Sequence, residues 1–213
     1  MSYIFNIIPS LLEGSLVTIE VFLIVLILSV PLGAIIAFLM KINNAFLNLI
    51  LHLYILIMRG TPLLLQLIFV YFVLPSVGIA FDRMPAAILA FTLNYAAYFA
   101  EVFRGGIDAI PTGQYEAAKV LKMSQFQTVR YIILPQVIKI VLPSVFNEII
   151  NLVKDSSLVY VVGVGDLLLA SKTAANRDAT LAPMFIAGAI YLILIGVVTF
   201  ISKQMEKKFN YYK

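Results

Sequence analysis

Long apolar stretches separated by shorter polar segments dominate the hydrophobic pattern of this chain. Five of them approach or exceed the length of about 20 residues that a helix needs to cross the hydrocarbon core of a bilayer. They cover residues 16–40, 55–74, 85–103, 137–154 and 183–202. The pattern therefore predicts an all-α integral membrane protein of about five transmembrane helices, organised as a single transmembrane domain over residues 1–213.

The first apolar stretch is predicted to be a retained span and not a cleaved signal peptide. Residues 1–14 contain no Lys or Arg, although a signal peptide normally begins with positive charge. The apolar run that follows is also longer than the apolar core of a signal peptide. We therefore count this stretch among the membrane spans.

Composition supports the membrane assignment. Of the 213 residues, 62% are hydrophobic and 12% are charged, and the mean hydropathy is +1.01. This leaves too little polar surface to coat a soluble globule, so most of the surface is expected to face lipid. The sequence contains no cysteine, which excludes disulfides, thiolate metal sites and thiol nucleophiles from these residues.

The distribution of Lys and Arg predicts the orientation, because cytoplasmic loops retain an excess of positive charge. With the N-terminus outside, ten basic residues fall on the cytoplasmic side and three on the outer side. The ten are Lys41, Arg104, Lys119, Lys122, Arg130, Lys139, Lys203, Lys207, Lys208 and Lys213. The three are Arg83, Lys172 and Arg177, while Arg59 and Lys154 lie within or beside apolar stretches. We expect the N-terminus outside and the C-terminus in the cytoplasm.

The net charge of +4 follows mainly from this topological bias. The basic tail at residues 203–213 is expected to contact anionic lipid, and no pattern in the sequence indicates a nucleic-acid partner. No metal site is expected either, because His52 is the single histidine and has no Cys or acidic cluster near it in sequence.

A polar, helix-forming segment at about residues 105–136 lies on the cytoplasmic side in this orientation. The turn at residues 111–113 is expected to start a short helix, with Thr112 as its cap, that runs through Glu116. A break in this helix is predicted at Lys122 and the residue after it. The first part of the segment is therefore a short helix with a defined end.

A second helix is predicted directly after this break. Ser124 and Gln127 fit a capping box, in which each residue's side chain accepts a hydrogen bond from the other's backbone N–H. The helix is expected to run to Pro135, so that the segment forms a helix-turn-helix at the membrane face. Connectors in compact folds are usually short, so about thirty ordered residues favour a docking surface over a solvated connector.

The same segment resembles the cytoplasmic loop motif of ABC importer permeases. That motif is Glu-Ala-Ala, three residues, a usual Gly, nine residues and Ile-x-Leu-Pro, and residues 116–135 match its spacing throughout. Further strings resemble the polar amino acid uptake branch of this family, which includes histidine, glutamine, arginine and cystine permeases. They lie at residues 59–66, 98–107, 111–114, 134–136 and 154–158. The resemblance therefore extends over nearly the whole chain.

The resemblance implies a type I importer permease, a multi-pass protein of the bacterial inner membrane. It implies a second permease subunit, with a homodimer favoured and a heterodimer possible, because one chain is too small to enclose a gated path. It also implies two cytoplasmic ATPase subunits and an extracytoplasmic binding protein that delivers a polar amino acid. The sequence contains no phosphate-binding loop, so ATP and Mg²⁺ are expected on the ATPase and no cofactor on this chain.

Four residues are implied to couple the chain to the ATPase. In the family, the helix that carries Glu116, Ala117 and Ala118 sits in a groove of the ATPase and transmits its closure to the spans. The two alanines allow the backbone of another protein to approach closely, and Glu116 can form a charge-assisted hydrogen bond at the rim of that contact. Lys122 replaces the usual Gly, at a cost of about 1 kcal/mol if the turn is left-handed. Either the turn differs or the strain is tolerated, and Lys122 can also favour the helix end or touch an acidic patch of the ATPase.

Polar residues at membrane depth predict a path for a polar solute, because each is costly in lipid and must face protein, water or ligand. Asn94, Tyr98 and Glu101 share one face of the third predicted span. Arg59 precedes a predicted helix interruption at residues 60–62, where freed backbone groups can contact a polar ligand.

The fourth predicted span carries a second polar stripe. Asn147, Asn151 and Lys154 lie along it, with Glu148 and Asp155 nearby. Because this stripe and that of the third span both need a polar environment, we expect them to line a shared cavity.

The candidate residues of the substrate path are Arg59, Thr61, Gln66, Asn94, Tyr98, Glu101, Asn151, Lys154, Asp155 and Ser156. A zwitterionic amino acid needs partners of both signs once its water is removed. Arg59 or Lys154 can take the carboxylate, and Glu101 or Asp155 the ammonium. Structural alternatives are an ion pair between Glu101 and Arg104, and an outer interfacial position for Lys154 and Asp155.

Two other function classes remain open from the residues themselves. An ion-coupled secondary transporter or channel would use Glu101 or Asp155 as an ion relay. An intramembrane aspartyl protease would use Asp166 within Gly-Val-Gly-Asp, but the partner motif Tyr-Asp is absent and Asp166 falls in a predicted outer loop. Catalysis by this chain is therefore not expected.

Overall fold

The computed structural model describes residues 2–209, with the side chains of residues 6–208, and all regular structure within that range is helical. The described residues contain four helical segments that are long and apolar enough to cross a bilayer, and a fifth if a bent pair counts as one span. They are Asn6–Leu39, Arg83–Asp108, Gln125–Val162 and Ala182–Lys208, with the bent pair at Ala45–Gly60 and Leu63–Val77. The predicted all-α membrane fold is confirmed. Lys213, assigned above to the cytoplasmic side, lies outside the described residues.

The helices follow one another with short connections. In chain order they are α1 (Ser2–Leu39), α2 (Ala45–Gly60), α3 (Leu63–Ile68), α4 (Arg83–Asp108), α5 (Thr112–Val120), α6 (Gln125–Gln127), α7 (Leu134–Asp155), α8 (Leu167–Arg177) and α9 (Ala182–Phe209). Wider π-helical turns occur at Phe69–Val73 and Thr128–Ile133, and 3-10 turns at Leu74–Val77 and Ser156–Val162.

The second predicted span, residues 55–74, consists of two helical segments, the first of which begins earlier than predicted, at Ala45. The α2 and α3 segments meet at an angle of 105°. Thr61 is extended, with φ −121° and ψ 148°, as expected for a residue that precedes proline. Pro62 is also extended and has no N–H to continue the helix. The predicted interruption is therefore confirmed, and it divides the apolar stretch at a sharp corner.

Small residues bring α1 and α4 into close contact. A Cβ placed on Gly33 would lie 2.6 Å from the Cβ of Phe99 and 2.9 Å from the carbonyl oxygen of Ala96. Fully or almost fully buried alanines on α4 belong to two core clusters, one with Ala86, Ala87 and Ala90 and the other with Ala96, Ala97 and Ala100. Membrane helices associate through such small residues because lipid provides little hydrophobic drive for helix pairing. This packing places α4 at the centre of the molecule.

The second helix of the cytoplasmic segment does not stop at Pro135, contrary to the sequence-based expectation. It continues through a π turn into α7, so that Gln125–Val162 runs as one helical segment. In the wide turn the Leu134 N–H donates to the carbonyl of Val129, five residues earlier. Such a turn accommodates Pro135, which has no N–H and would crowd the preceding turn of an ordinary α-helix.

The outer loop predicted around Asp166 is ordered. Asp166 precedes α8 and is fully buried, and α8 packs against α1 and α9. The Leu167 N–H donates to the Thr18 hydroxyl on α1 at 3.1 Å. A Cβ on Gly14 would lie 2.8 Å from the Asp166 carbonyl oxygen, so glycine is required for this approach.

Candidate functional site

A cavity of about 620 Å³ lies where the corner between α2 and α3 meets α4 and α7. Interrupted membrane helices commonly form polar sites, because the break frees backbone groups for a ligand. Seven of the ten residues predicted for the substrate path line this cavity. They are Arg59, Thr61, Asn94, Tyr98, Asn151, Lys154 and Asp155. The two predicted polar stripes therefore meet in one cavity.

Two of the remaining predicted residues support or pack beside the cavity and do not line it. Gln66 accepts a hydrogen bond from Asn94 at 3.0 Å and donates to the Thr61 hydroxyl at 2.8 Å. Ser156 is fully buried and donates to the Val153 carbonyl at 2.8 Å. Gln66 thus orients residues of the cavity, whereas Ser156 caps the end of α7.

Asn94 ties α4 to the broken end of α2. Its side chain is buried, with the residue only 3% exposed. The amide donates to the Met58 carbonyl at 2.7 Å as well as to Gln66 at 3.0 Å. Met58 lies in the last turn of α2, where carbonyl groups have no partner within the helix. Asn94 therefore holds the corner in place beside the cavity.

Tyr95 and Glu148 line the cavity although they are absent from the predicted site. The Tyr95 hydroxyl donates to a carboxylate oxygen of Asp155 at 2.7 Å, so Asp155 is oriented by protein. Glu148 stands three and seven residues before Asn151 and Asp155, which is the spacing of one helical face. That spacing was a usable signal for Glu148. Asn147, placed on the stripe by the sequence, is exposed and does not line the cavity.

Arg59 connects the cavity to Glu101, the remaining carboxylate among the predicted site residues. Its guanidinium lies 5.1 Å from the centre of the Tyr98 ring and 3.9 Å from a Glu101 carboxylate oxygen. Glu101 itself does not line the cavity, and it accepts a hydrogen bond from Arg104 Nε at 3.0 Å. The alternative of an ion pair between Glu101 and Arg104 is thus present in the structure.

The charges continue beyond Arg104 toward the segment at residues 105–136. Arg104 Nη1 donates to Asp108 at 2.9 Å, and Asp108 also forms an ion pair with Lys41. Alternating charges therefore run from the cavity to the residues immediately before α5. All of these side chains are partly exposed, which limits the energy of each pair.

The short helix α5 ends in a left-handed turn at Lys122, where φ is 53°. The Met123 N–H donates to the Ala118 carbonyl and the Lys122 N–H to the Lys119 carbonyl, each at 3.0 Å. This is the Schellman arrangement that usually carries glycine at the left-handed position. Lys122 therefore keeps the turn that Gly would form, and the strain is tolerated.

Two details of this segment differ from the sequence-based expectation. The residue that caps α5 is Pro111, without a side-chain hydrogen bond, and Thr112 is the first helical residue. Ala118 has an exposed fraction of 0%, so it packs inside the chain and is not available to another protein. Glu116 and Ala117 remain exposed.

The capping box of the second helix is confirmed. The Ser124 hydroxyl accepts from the Gln127 N–H at 3.2 Å, and the Gln127 side chain accepts from the Ser124 N–H at 2.8 Å. Exposed apolar side chains flank this turn at Val120, Leu121 and Phe126, with Phe126 75% exposed. A group of exposed large apolar residues beside a capped turn is typical of a protein-docking surface.

Asp166 has a structural role. Its carboxylate accepts hydrogen bonds from the N–H groups of Leu168 at 3.1 Å and Leu169 at 2.9 Å, which caps α8. Burial raises the pKa of Asp166, while these backbone donors act in the opposite direction. The residue is fully buried, which leaves no access for a peptide substrate.

Comparisons with known proteins agree with the geometry. A model of the family described as "Binding-protein-dependent transport system inner membrane component" matches residues 29–211. The putative glutamine transport system permease protein GlnP of Rickettsia felis is 38% identical over 97% of both chains. The arginine transport system permease protein ArtQ of Bacillus subtilis is 40% identical, covering 94% of this chain and 93% of its own.

Solved structures show the same similarity. The crystal structure of an amino acid ABC transporter with histidines superposes with a TM-score of 0.90 at 31% identity, over 96% of each chain. The MetNI methionine ABC transporter, in an inward-facing conformation, superposes with a TM-score of 0.73 at 21% identity, over 98% of this chain and 97% of its own. The latter similarity supports the fold alone.

Proposed function

Because the chain belongs to the family of binding-protein-dependent transport system inner membrane components, we propose that the cavity between α2, α3, α4 and α7 forms part of the path of a polar amino acid. The chain is the permease component of an amino acid ABC importer and a multi-pass protein of the inner membrane. It is a transport component and not a catalyst. Its family implies ATPase, binding-protein and permease partners. The two alternative function classes, an ion-coupled transporter and an intramembrane protease, are therefore not pursued.

The observation that carries the proposal is the presence of charged groups of both signs in one cavity. Arg59 and Lys154 supply positive charge, and Glu148 and Asp155 supply negative charge. A zwitterion that loses its water needs both. Relatives named for glutamine and arginine transport agree with a polar amino acid as the substrate class.

Within this cavity we assign the substrate carboxylate to Arg59 and the substrate ammonium to Glu148. A guanidinium can bind a carboxylate through two parallel hydrogen bonds, whereas the ammonium of Lys154 acts as a point charge. Asp155 accepts the hydroxyl of the buried Tyr95, whereas the partner of Glu148 is Asn151, an exposed side chain of the cavity lining that an ammonium group can replace. Substrate bound to Arg59 would compete with Glu101, which lies 3.9 Å from the same guanidinium.

The coupling surface consists of the exposed residues of α5 and of the turn that follows it. Glu116 and Ala117 provide a polar edge, and Val120, Leu121 and Phe126 provide apolar contacts for the ATPase. Closure of the ATPase would move the whole segment at residues 105–136. Because α6 is continuous with α7 through the π turn, this motion would reach the helix that carries Glu148, Asn151 and Asp155.

The orientation places the N-terminus outside and the C-terminus in the cytoplasm. The concentration of Lys and Arg on α5, the turn that follows it, the π turn and the end of α9 supports this orientation. The partner permease is a second copy of this chain, in keeping with the prevalence of two-fold symmetry and with a cavity that one chain leaves open. A paralogous permease in that place is the other possibility.

The test is transport by the complete importer reconstituted in liposomes with its binding protein. Glu148→Gln removes one negative charge from the cavity and is expected to raise the half-saturating amino acid concentration for ATP-dependent uptake by about tenfold. Glu13→Gln, an exposed site on α1 outside the cavity lining, is the matched control. Uptake kinetics of Glu148→Gln that equal those of the control would remove Glu148 from the path.

A further inference from the structure

A second cavity, of about 950 Å³, lies between the start of α7 and the end of α9. Three basic residues from separate parts of the chain line it: Arg130 in the π turn, Lys139 on α7 and Lys208 on α9. Among the described residues that line it, none is acidic. We refer to this cavity as the basic cleft.

The walls of the basic cleft are apolar and open. Tyr131, Leu134 and Ile138 line it and are all exposed to solvent or lipid. They lie within eight residues on one continuous helical segment, so they form a surface that runs along the helix from the charged end inward. A ligand of the cleft must therefore combine negative charge with a long apolar part.

The position of the basic cleft matches the edge of the membrane. Its two walls belong to the segments Gln125–Val162 and Ala182–Lys208, both of which are long and apolar enough to cross a bilayer. Lys208 is the last residue of the second segment. Basic pockets between transmembrane helices at this level are suited to the headgroups of anionic lipids.

The two outer basic groups are available for a ligand. Within the part of the chain that the structure describes, the side chains of Arg130 and Lys208 take part in no hydrogen bond or ion pair. An Arg and a Lys on opposite walls can contact different oxygens of one phosphate, the Arg through two hydrogen bonds.

We propose that the basic cleft binds an anionic phospholipid. Arg130 and Lys208 contact its phosphate, and its acyl chains lie along Tyr131, Leu134 and Ile138. A soluble anion would engage only the basic residues and leave the apolar wall uncovered. The bound lipid would join the π turn at the start of α7 to the end of α9, which is where the coupling segment enters the membrane.

The experiment uses the complete transporter, purified with its ATPase, stripped of lipid and examined by native mass spectrometry. Phosphatidylglycerol is added in parallel with phosphatidylcholine. The variant Arg130→Gln/Lys208→Gln is expected to bind phosphatidylglycerol about 25-fold more weakly, because each of the two basic residues near an anionic lipid contributes about a fivefold preference. The matched control is Lys203→Gln/Lys207→Gln, which removes two charges from the same end of α9 but outside the cleft lining.

Three results would overturn the proposal. In the first, the cleft variant and the control variant bind phosphatidylglycerol equally well. In the second, the native protein binds phosphatidylcholine as well as phosphatidylglycerol. In the third, inorganic phosphate alone displaces the lipid. Lipid that binds only when the ATPase is absent would assign this face to the ATPase instead. If the double variant does not assemble, the single variant Lys208→Gln is tested instead, because Lys208 is exposed at the end of α9. Its binding of phosphatidylglycerol is expected to be about fivefold weaker than that of the native protein.

Discussion

The two asparagines of the substrate cavity are expected to respond differently to the same substitution. Asn94 is buried and donates to the Met58 carbonyl at 2.7 Å and to Gln66 at 3.0 Å, whereas Asn151 is exposed and lines the cavity. Asn94→Ala removes both hydrogen bonds. The side-chain oxygen of Gln66 on α3 loses its donor, while the Met58 carbonyl on α2 keeps the hydrogen bond from the Gln66 amide at 3.0 Å. Asn151→Ala removes a polar group that faces the cavity.

The magnitude follows from those contacts. A net hydrogen bond contributes about 0.5–1.5 kcal/mol, and a buried acceptor left without a partner costs about 1–3 kcal/mol, so Asn94→Ala should destabilise the protein by about 2 kcal/mol. For a chain of this size, that loss lowers the unfolding midpoint by about 4–8 °C. Asn151→Ala should change the midpoint by less than about 2 °C, since surface substitutions usually change the free energy of unfolding by no more than about 0.5 kcal/mol.

The midpoint can be measured by the loss of the monodisperse peak in size-exclusion chromatography after heating, because the sequence contains neither Trp nor Cys for the usual optical probes. Uptake by reconstituted transporter is measured on the same samples. Both variants are expected to lower uptake, but only Asn94→Ala should lower the midpoint. An unchanged midpoint for Asn94→Ala, or an equal fall for Asn151→Ala, would refute the distinction between a supporting and a contacting residue.

Two further predictions concern the coupling segment. Glu116→Lys reverses the charge of an exposed residue on α5. It should abolish co-purification with the ATPase while membrane insertion stays normal. Retained ATPase together with normal uptake would contradict the coupling role. Lys122→Gly relieves the strain of the left-handed conformation at φ 53°. It should stabilise the turn by about 0.5–1 kcal/mol, a figure that already includes the greater freedom of glycine in the unfolded chain. The control Ala117→Gly, within α5, should destabilise the helix by about 1 kcal/mol. Limited proteolysis of the segment measures both, and faster cleavage of Lys122→Gly than of the native protein would show that the side chain contributes more than the strain costs.

Three features of the structure were not predicted by the local rules applied to the sequence. Ala118 was expected on the docking surface, yet it is buried within the chain. The helix that begins at the Ser124 cap was expected to end at Pro135, yet a π turn lets it continue into α7. Asp166 lies in a loop as expected, but it is fully buried there and caps a helix that packs against α1.

Three features could be predicted from the sequence because each depends on neighbouring residues: the membrane fold, the corner at Pro62 and the cap at Ser124. The length of an apolar run determines whether it spans a bilayer. Proline fixes its own φ and restricts the residue before it. A capping box needs only two side chains three residues apart. The predicted cavity residues also came from a local rule, since polar side chains at membrane depth must face something other than lipid.

Only the tertiary structure decided which of those polar residues share a cavity and which support it. The hydrogen bond from Tyr95 to Asp155 joins residues sixty positions apart, and that from Asn94 to Met58 joins residues thirty-six positions apart. The basic cleft brings together residues of the π turn and of α9 that are even more distant in the chain. Such contacts depend on the angles at which helices cross and on how closely small residues let them approach, and neither quantity is encoded in a short stretch of sequence.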